Sequence, residues 1–190
     1  MSDTVYQGGF TNPPQDAAHA FRATMQAMAR PGTIETIKGG QAPRPVSSAA
    51  ATLLLTLCDP DTGLYLAPGH DSQAMRDWVT FHTNAPLVSA EEADFALGSW
   101  QALQPLDAYK VGVPAYPDRA ATLIVEMGSL TASGSKLSGP GIKDSAALNL
   151  PEIAAFQANR TLFPLGFDCF FTAGDQIAAL PRSTRVEEAA

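Results

Sequence analysis

The stretch K-L-S-G-P-G-I-K-D at residues 136–144 gathers glycines and lysines in the manner of a phosphate-binding loop. A Walker loop requires G-x-x-x-x-G-K-[S/T], whose successive backbone N–H groups surround the phosphates while the lysine reaches them. Gly134 and Gly139 have that separation, but Pro140 stands where the lysine belongs. The dinucleotide fingerprint fails too, because Gly139-x-Gly141 meets Asp144 where a third small residue is required. Proline also removes an N–H donor from the middle of the nest. The stretch therefore reads as a rigid strand-ending turn.

A Schiff-base lysine for pyridoxal phosphate has four candidates, Lys38, Lys110, Lys136 and Lys143, all in expected strands or loops. Solvent exposure is the usual state of this residue. His19 falls inside an expected helix and His70 follows Pro68-Gly69 in a loop; neither has a second ligand at metal spacing, so both read as surface residues. His82, followed by Asn84, lies where a helix hands over to a strand, and ligands of α/β sheets bind at such ends. The alternative is a helix C-terminal histidine bonded to backbone carbonyls and favoured by the dipole. In the tail P-R-S-T-R-V-E, Arg182 and Arg185 flank two hydroxyls, a set suited to phosphate or carboxylate groups on a ligand or partner. Salt bridges to acidic neighbours are the competing reading. His82, Asn84, Arg182 and Arg185 are thus the candidate binding residues, and no catalytic residue is assigned. A Gly-x-Ser-x-Gly elbow is missing from the sequence.

The elements that position these residues alternate. The first 14 residues, ending Asn12-Pro13-Pro14, read as an arm, and residues 15–190 as a single α/β domain. Ala18, Phe21, Met25 and Met28 recur at helical spacing across 15–29 and predict an amphipathic helix stopped by Arg30-Pro31-Gly32. A strand is expected at 33–38, and Ser47 caps a helix running through Leu57. A strand follows at 64–67, then a helix capped by Asp71 that ends at Thr83-Asn84, then short strands at 86–89 and 94–97. The segment 105–118, rich in Pro, Gly and Tyr, has no assignable pattern. A-T-L-I-V-E-M at 121–127 is the best candidate for a central strand buried on both faces. A strand at 135–138 and a helix over 151–162 with Pro151 at its first position come next, and strands at 168–172 and 176–180 pair as a hairpin. The pattern predicts a three-layer α/β fold, a mixed sheet with helices on both faces.

Composition narrows the function. Of 190 residues 45% are apolar and 16% charged, enough apolar material for a full core. So few charges and so many alanines favour a surface partly covered by another subunit. The charge is 12 − 19 = −7 with no basic run, which excludes nucleic-acid binding. With no apolar stretch of about 18 residues and no signal-like N-terminus, no membrane partner is expected and the chain is placed in the cytoplasm. Cys58 and Cys169 read as buried thiols rather than a disulfide or zinc site.

Taken together, Q-D-A-A-H-A-F-R at 15, M-A-R-P-G at 28, L-L-L-T-L-C-D at 53, F-H-T-N-A-P-L-V at 81, A-T-L-I at 121, L-S-G-P-G-I at 137, F-P-L-G-F-D at 163 and P-R-S-T-R-V-E at 181 resemble one family. It is the PhnH family, the H subunits of the bacterial carbon–phosphorus lyase core complex. The resemblance implies a fold like the large domain of pyridoxal phosphate-dependent transferases without that cofactor or its lysine, so no cofactor is expected. It implies an accessory role in organophosphonate catabolism, beside G, I and J subunits, with a homodimer when isolated. The G, H and I subunits, with an accessory ATPase-like subunit, are associated with forming α-D-ribose 1-methylphosphonate 5-triphosphate from ATP and methylphosphonate. No catalytic residue carries over, and the longer N-terminal arm departs from the family pattern. The alternative is a free-standing transferase using pyridoxal phosphate or a nucleotide.

Overall fold

The computed structural model describes residues 6–189. In chain order the elements are α1 (Pro13–Ala29), β1 (Glu35–Thr36), α2 (Ser48–Leu57), β2 (Leu64–Leu66), α3 (Gln73–His82), β3 (Phe95–Ser99), β4 (Val111–Val113) and β5 (Tyr116–Ala120). They continue with β6 (Thr122–Glu126), β7 (Ser135–Ser138), β8 (Ala146–Leu148), α4 (Ile153–Thr161), β9 (Asp168–Ala173), β10 (Gln176–Leu180) and β11 (Arg185–Glu187).

Six strands form the main sheet in the order β1-β10-β9-β6-β3-β2. Strands β2, β3, β6 and β9 are parallel, whereas β10 runs antiparallel to both β9 and β1. The mixed sheet and the central place of 121–127 agree with the sequence reading. Along β6 the side chains divide by period two: Ile124 enters one apolar cluster with α1, α2 and α3, while Leu123 and Val125 enter a second cluster on the other face. That second face is covered by α4 and by a small antiparallel sheet, β11-β7-β8, so one layer is part helix and part sheet rather than helices alone.

Several local expectations change. The stripe Ala18, Phe21 and Met25 points outward, with Phe21 and Met25 about half exposed at 49% and 51%; α1 buries Ala20, Thr24 and Ala27 instead. Small residues let α1 approach α2 and β10 closely, and Thr24 satisfies its hydroxyl by donating to the Ala20 carbonyl at 2.9 Å. Ser72, not Asp71, caps α3: its Oγ accepts from the Met75 N–H, while the Asp71 carboxylate takes both arms of Arg76. Pro151 lies two residues before α4, whose cap position is Glu152. The expected strand at 86–89 shrinks to one parallel bridge between Leu64 and Leu87. The unassigned 105–118 segment holds a short 3-10 turn and most of the β4–β5 hairpin.

The arm turns back onto its own domain. Gln41 N–H donates to the Gly8 carbonyl at 2.8 Å, and a Cβ on Gly8 would lie 1.9 Å from the Gln41 oxygen. Only glycine, here at φ +90°, permits that approach. Residues 1–5 of the expected arm lie outside the described residues.

Candidate functional site

His82 ends α3, stacked obliquely on Trp78 with ring centroids 4.9 Å apart. Its Nε2 lies 3.1 Å from the Gln7 carbonyl, which can only accept, so this nitrogen carries the proton in that contact. The histidine thus bonds a backbone carbonyl of the arm. Beside it lies an open groove of about 480 Å³, lined by Tyr6, Gly9, Phe10, Pro13, Leu55 and His82 among others. The start of α1 offers that groove no anion site. Positions 13 and 14 are prolines without N–H groups, and the N–H groups of Gln15 and Asp16 donate to the Asn12 carbonyl. Asn84 takes the left-handed conformation at φ +54° and donates its N–H to the Val79 carbonyl, a helix-stop geometry.

Arg182 is engaged within the chain. Its Nε and Nη2 bind the two oxygens of Asp168 at 3.1 and 2.6 Å, its backbone N–H binds the same carboxylate at 2.8 Å, and Nη1 donates to the Pro117 carbonyl at 2.6 Å. Arg185 lies exposed on β11, opposite Ser138 of β7. The neighbouring β11 residue Val186 packs into the second apolar cluster, whereas Trp78 of α3 belongs to the first. His82 and the arginines are therefore attached to opposite faces of the main sheet, and the described contacts do not assemble them into one site.

The four lysines also have definite surroundings. Lys38 pairs with Asp175 at 3.3 Å, Lys110 with Asp94 at 2.5 Å and Lys136 with Glu187 at 3.2 Å, and Lys143 is exposed. The Gly-Pro-Gly turn is a packing junction. A Cβ on Gly141 would fall 2.0 Å from the Ala29 carbonyl oxygen, so this glycine, at φ +81°, lets the end of α1 touch the turn after β7.

One cluster was not singled out from the sequence. Glu126 closes β6 at the carboxyl ends of the parallel strands, the usual side for ligands in α/β sheets. Its Oε1 accepts from the Ser47 N–H at 2.7 Å and its Oε2 from the Thr172 hydroxyl at 3.1 Å, tying the start of α2 to β6 and β9. Burial pushes this carboxyl above its ordinary value, against the lowering effects of the Ser47 and Thr172 bonds and of nearby His70. His70, expected at the surface, is only 7% exposed, and its Nδ1 is enclosed without a hydrogen-bond partner among the described residues. The legible signal was a carboxylate inside an otherwise apolar central strand. The cluster can hold a proton; the Ser47 Oγ accepts from the Ala50 N–H, and no hydrogen bond joins Ser47 to His70 among the described residues. Both cysteines are buried, and burial drives both thiols upward, Cys58 to about 12, which leaves them protonated. Among the described residues, no three His, Cys, Asp or Glu side chains gather at metal-binding distance.

The model of the family described as bacterial phosphonate metabolism protein (PhnH) matches residues 8–187, and the chain belongs to that family. It is similar, at 35% identity over 96% of both chains, to the α-D-ribose 1-methylphosphonate 5-triphosphate synthase subunit PhnH of Rhizobium meliloti (strain 1021). It is also 28% identical, over 88% of its own length and 84% of the relative's, to the putative C-P lyase subunit protein HtxG of Stutzerimonas stutzeri.

Proposed function

We propose that this chain is an accessory, non-catalytic subunit of a carbon–phosphorus lyase core complex. There it supports formation of α-D-ribose 1-methylphosphonate 5-triphosphate from ATP and methylphosphonate. The observation that carries the reading is family membership across residues 8–187, together with relatives whose names describe subunits. The geometry supports the non-catalytic part: His82, Asn84 and Arg182 are held by arm, helix-stop and ion-pair contacts, and in the Glu126 cluster no serine–histidine hydrogen bond is formed among the described residues. Its partners in this reading are the G, I and J subunits, the isolated chain pairs with itself, and the assembly works in the cytoplasm. Among the described residues no helix is long and apolar enough to cross a membrane. Kinship with the large domain of pyridoxal phosphate-dependent transferases belongs to the same proposal, supported by the parallel β2-β3-β6-β9 block with antiparallel β10 beside it. Within it, residues 15–190 act as one α/β domain and Arg185 remains the exposed candidate for a ligand or partner anion.

Co-expression with the G, I and J subunits, with an affinity tag on one of them, tests the assembly. This chain should copurify in constant proportion through a second column in moderate salt. Its loss from the tagged fraction would overturn the reading.

A further inference from the structure

Val113 and Tyr116, paired across the β4–β5 hairpin, are 51% and 50% exposed, and Leu162 and Phe163, just past α4, are 46% and 48% exposed. The two segments join at their roots, where Gly166 N–H donates to the Val111 carbonyl at 2.9 Å. The hairpin is braced rather than loose. Ala121 N–H closes it against the Lys110 carbonyl at 2.8 Å, and the Arg182 guanidinium holds the Pro117 carbonyl from the main body.

Each exposed ring carries an arginine. The Arg119 guanidinium carbon sits 4.2 Å from the Tyr116 ring centroid, and that of Arg160 sits 4.6 Å from the Phe163 centroid. Stacking on a ring face leaves the in-plane N–H donors of a guanidinium available for hydrogen bonds. Neither arginine makes a salt bridge among the described residues, and Arg160 Nε is enclosed without a hydrogen-bond partner. Aromatic anchors beside arginine are the composition of interface hot spots, and here the local cations stand out on a chain of net charge −7.

We infer that this flank, the β4–β5 hairpin with the end of α4, docks a different polypeptide subunit that presents an apolar ridge edged by carboxylates. The inference rests on the assembly reading given above. The partner's apolar side chains cover Val113, Tyr116, Leu162 and Phe163, and its carboxylates accept from the two stacked guanidiniums. A second copy of this chain fits less well, because these two segments carry one carboxylate, the exposed Asp118, against two arginines.

The test uses full-length chain carrying Arg119→Glu with Arg160→Glu, and separately Tyr116→Ala with Phe163→Ala. Binding is measured to the purified remaining subunits of the assembly, with thermal melting to check that each variant folds. The charge-reversed pair should bind at least ~100-fold more weakly and the ring-truncated pair at least ~30-fold more weakly. Self-association of the isolated chain should not change. If wild-type chain fails to bind those subunits, the assembly reading itself falls. If wild type binds and both folded variants bind within about threefold of it, or if the variants alter self-association instead, this assignment of the surface is overturned.

Discussion

Replacing Arg182 by alanine separates a structural arginine from a ligand-binding one. The side chains of Arg182 and Asp168 are 12% and 22% exposed, and the substitution removes two N–H donors from the carboxylate and one from the Pro117 carbonyl. Asp168 keeps the backbone N–H of residue 182 but loses its counter-charge. Breaking a fully buried pair from one side costs about 3–5 kcal/mol, and an exposed pair contributes about 1 kcal/mol or less. This pair lies nearer the buried limit while retaining some solvent, so the loss should be about 2–3 kcal/mol. Unfolding entropy of about 2.1 cal/mol/K per residue gives roughly 0.4 kcal/mol/K for a chain of this length, so the melting temperature should fall by about 5–8 °C. Scanning calorimetry of Arg182→Ala beside Arg185→Ala is the assay, with the exposed Arg185 expected to shift by less than about 1 °C. Equal and small shifts for both variants would refute the reasoning and return Arg182 to the pool of free ligand-binding groups.

Gly141→Ala should destabilise by about 3 kcal/mol or more, because the new Cβ meets the Ala29 carbonyl and φ is left-handed. Gly174→Ala, at φ +60° in open space, should cost only about 1–2 kcal/mol, and urea melts compare the two. The Glu126 carboxyl, raised by burial, binds its proton more tightly folded than unfolded. Its contribution is therefore fully present below the ordinary value near 4.5 and is lost as pH rises through the folded one. Glu126→Gln, which mimics the protonated form, should gain stability relative to wild type as pH rises above the ordinary value near 4.5; a difference independent of pH would contradict this.

The parts of the fold governed by local rules were readable. Ser47 announced α2, Ala173-Gly174-Asp175 announced the β9–β10 hairpin, and the β-branched run ending at Glu126 announced the central strand. The parts set by distant packing were not. Nothing local says that α1 buries Ala20, Thr24 and Ala27 in preference to Phe21 and Met25; that choice follows from how closely α2 and β10 approach. Strands β8 and β11 are three residues each and exist because they flank β7 in one small sheet. For the candidate site, residue type pointed to Arg182, but its partner Asp168 lies 14 positions away and becomes a neighbour only when β10 returns beside β9. His70 seemed a surface residue because Pro68-Gly69 precedes it, yet the fold leaves it only 7% exposed.

The claim that this chain is a non-catalytic member of an assembly is tested most directly by reconstitution. Purified G, I and J subunits, with the accessory ATPase-like subunit, are supplied with ATP and methylphosphonate and titrated with this chain while ribose methylphosphonate triphosphate formation is followed. Turnover should rise with added chain and level off at one copy per set of partners, and the chain alone should form no product. Product formed by the chain alone, or turnover indifferent to its addition, would contradict the account.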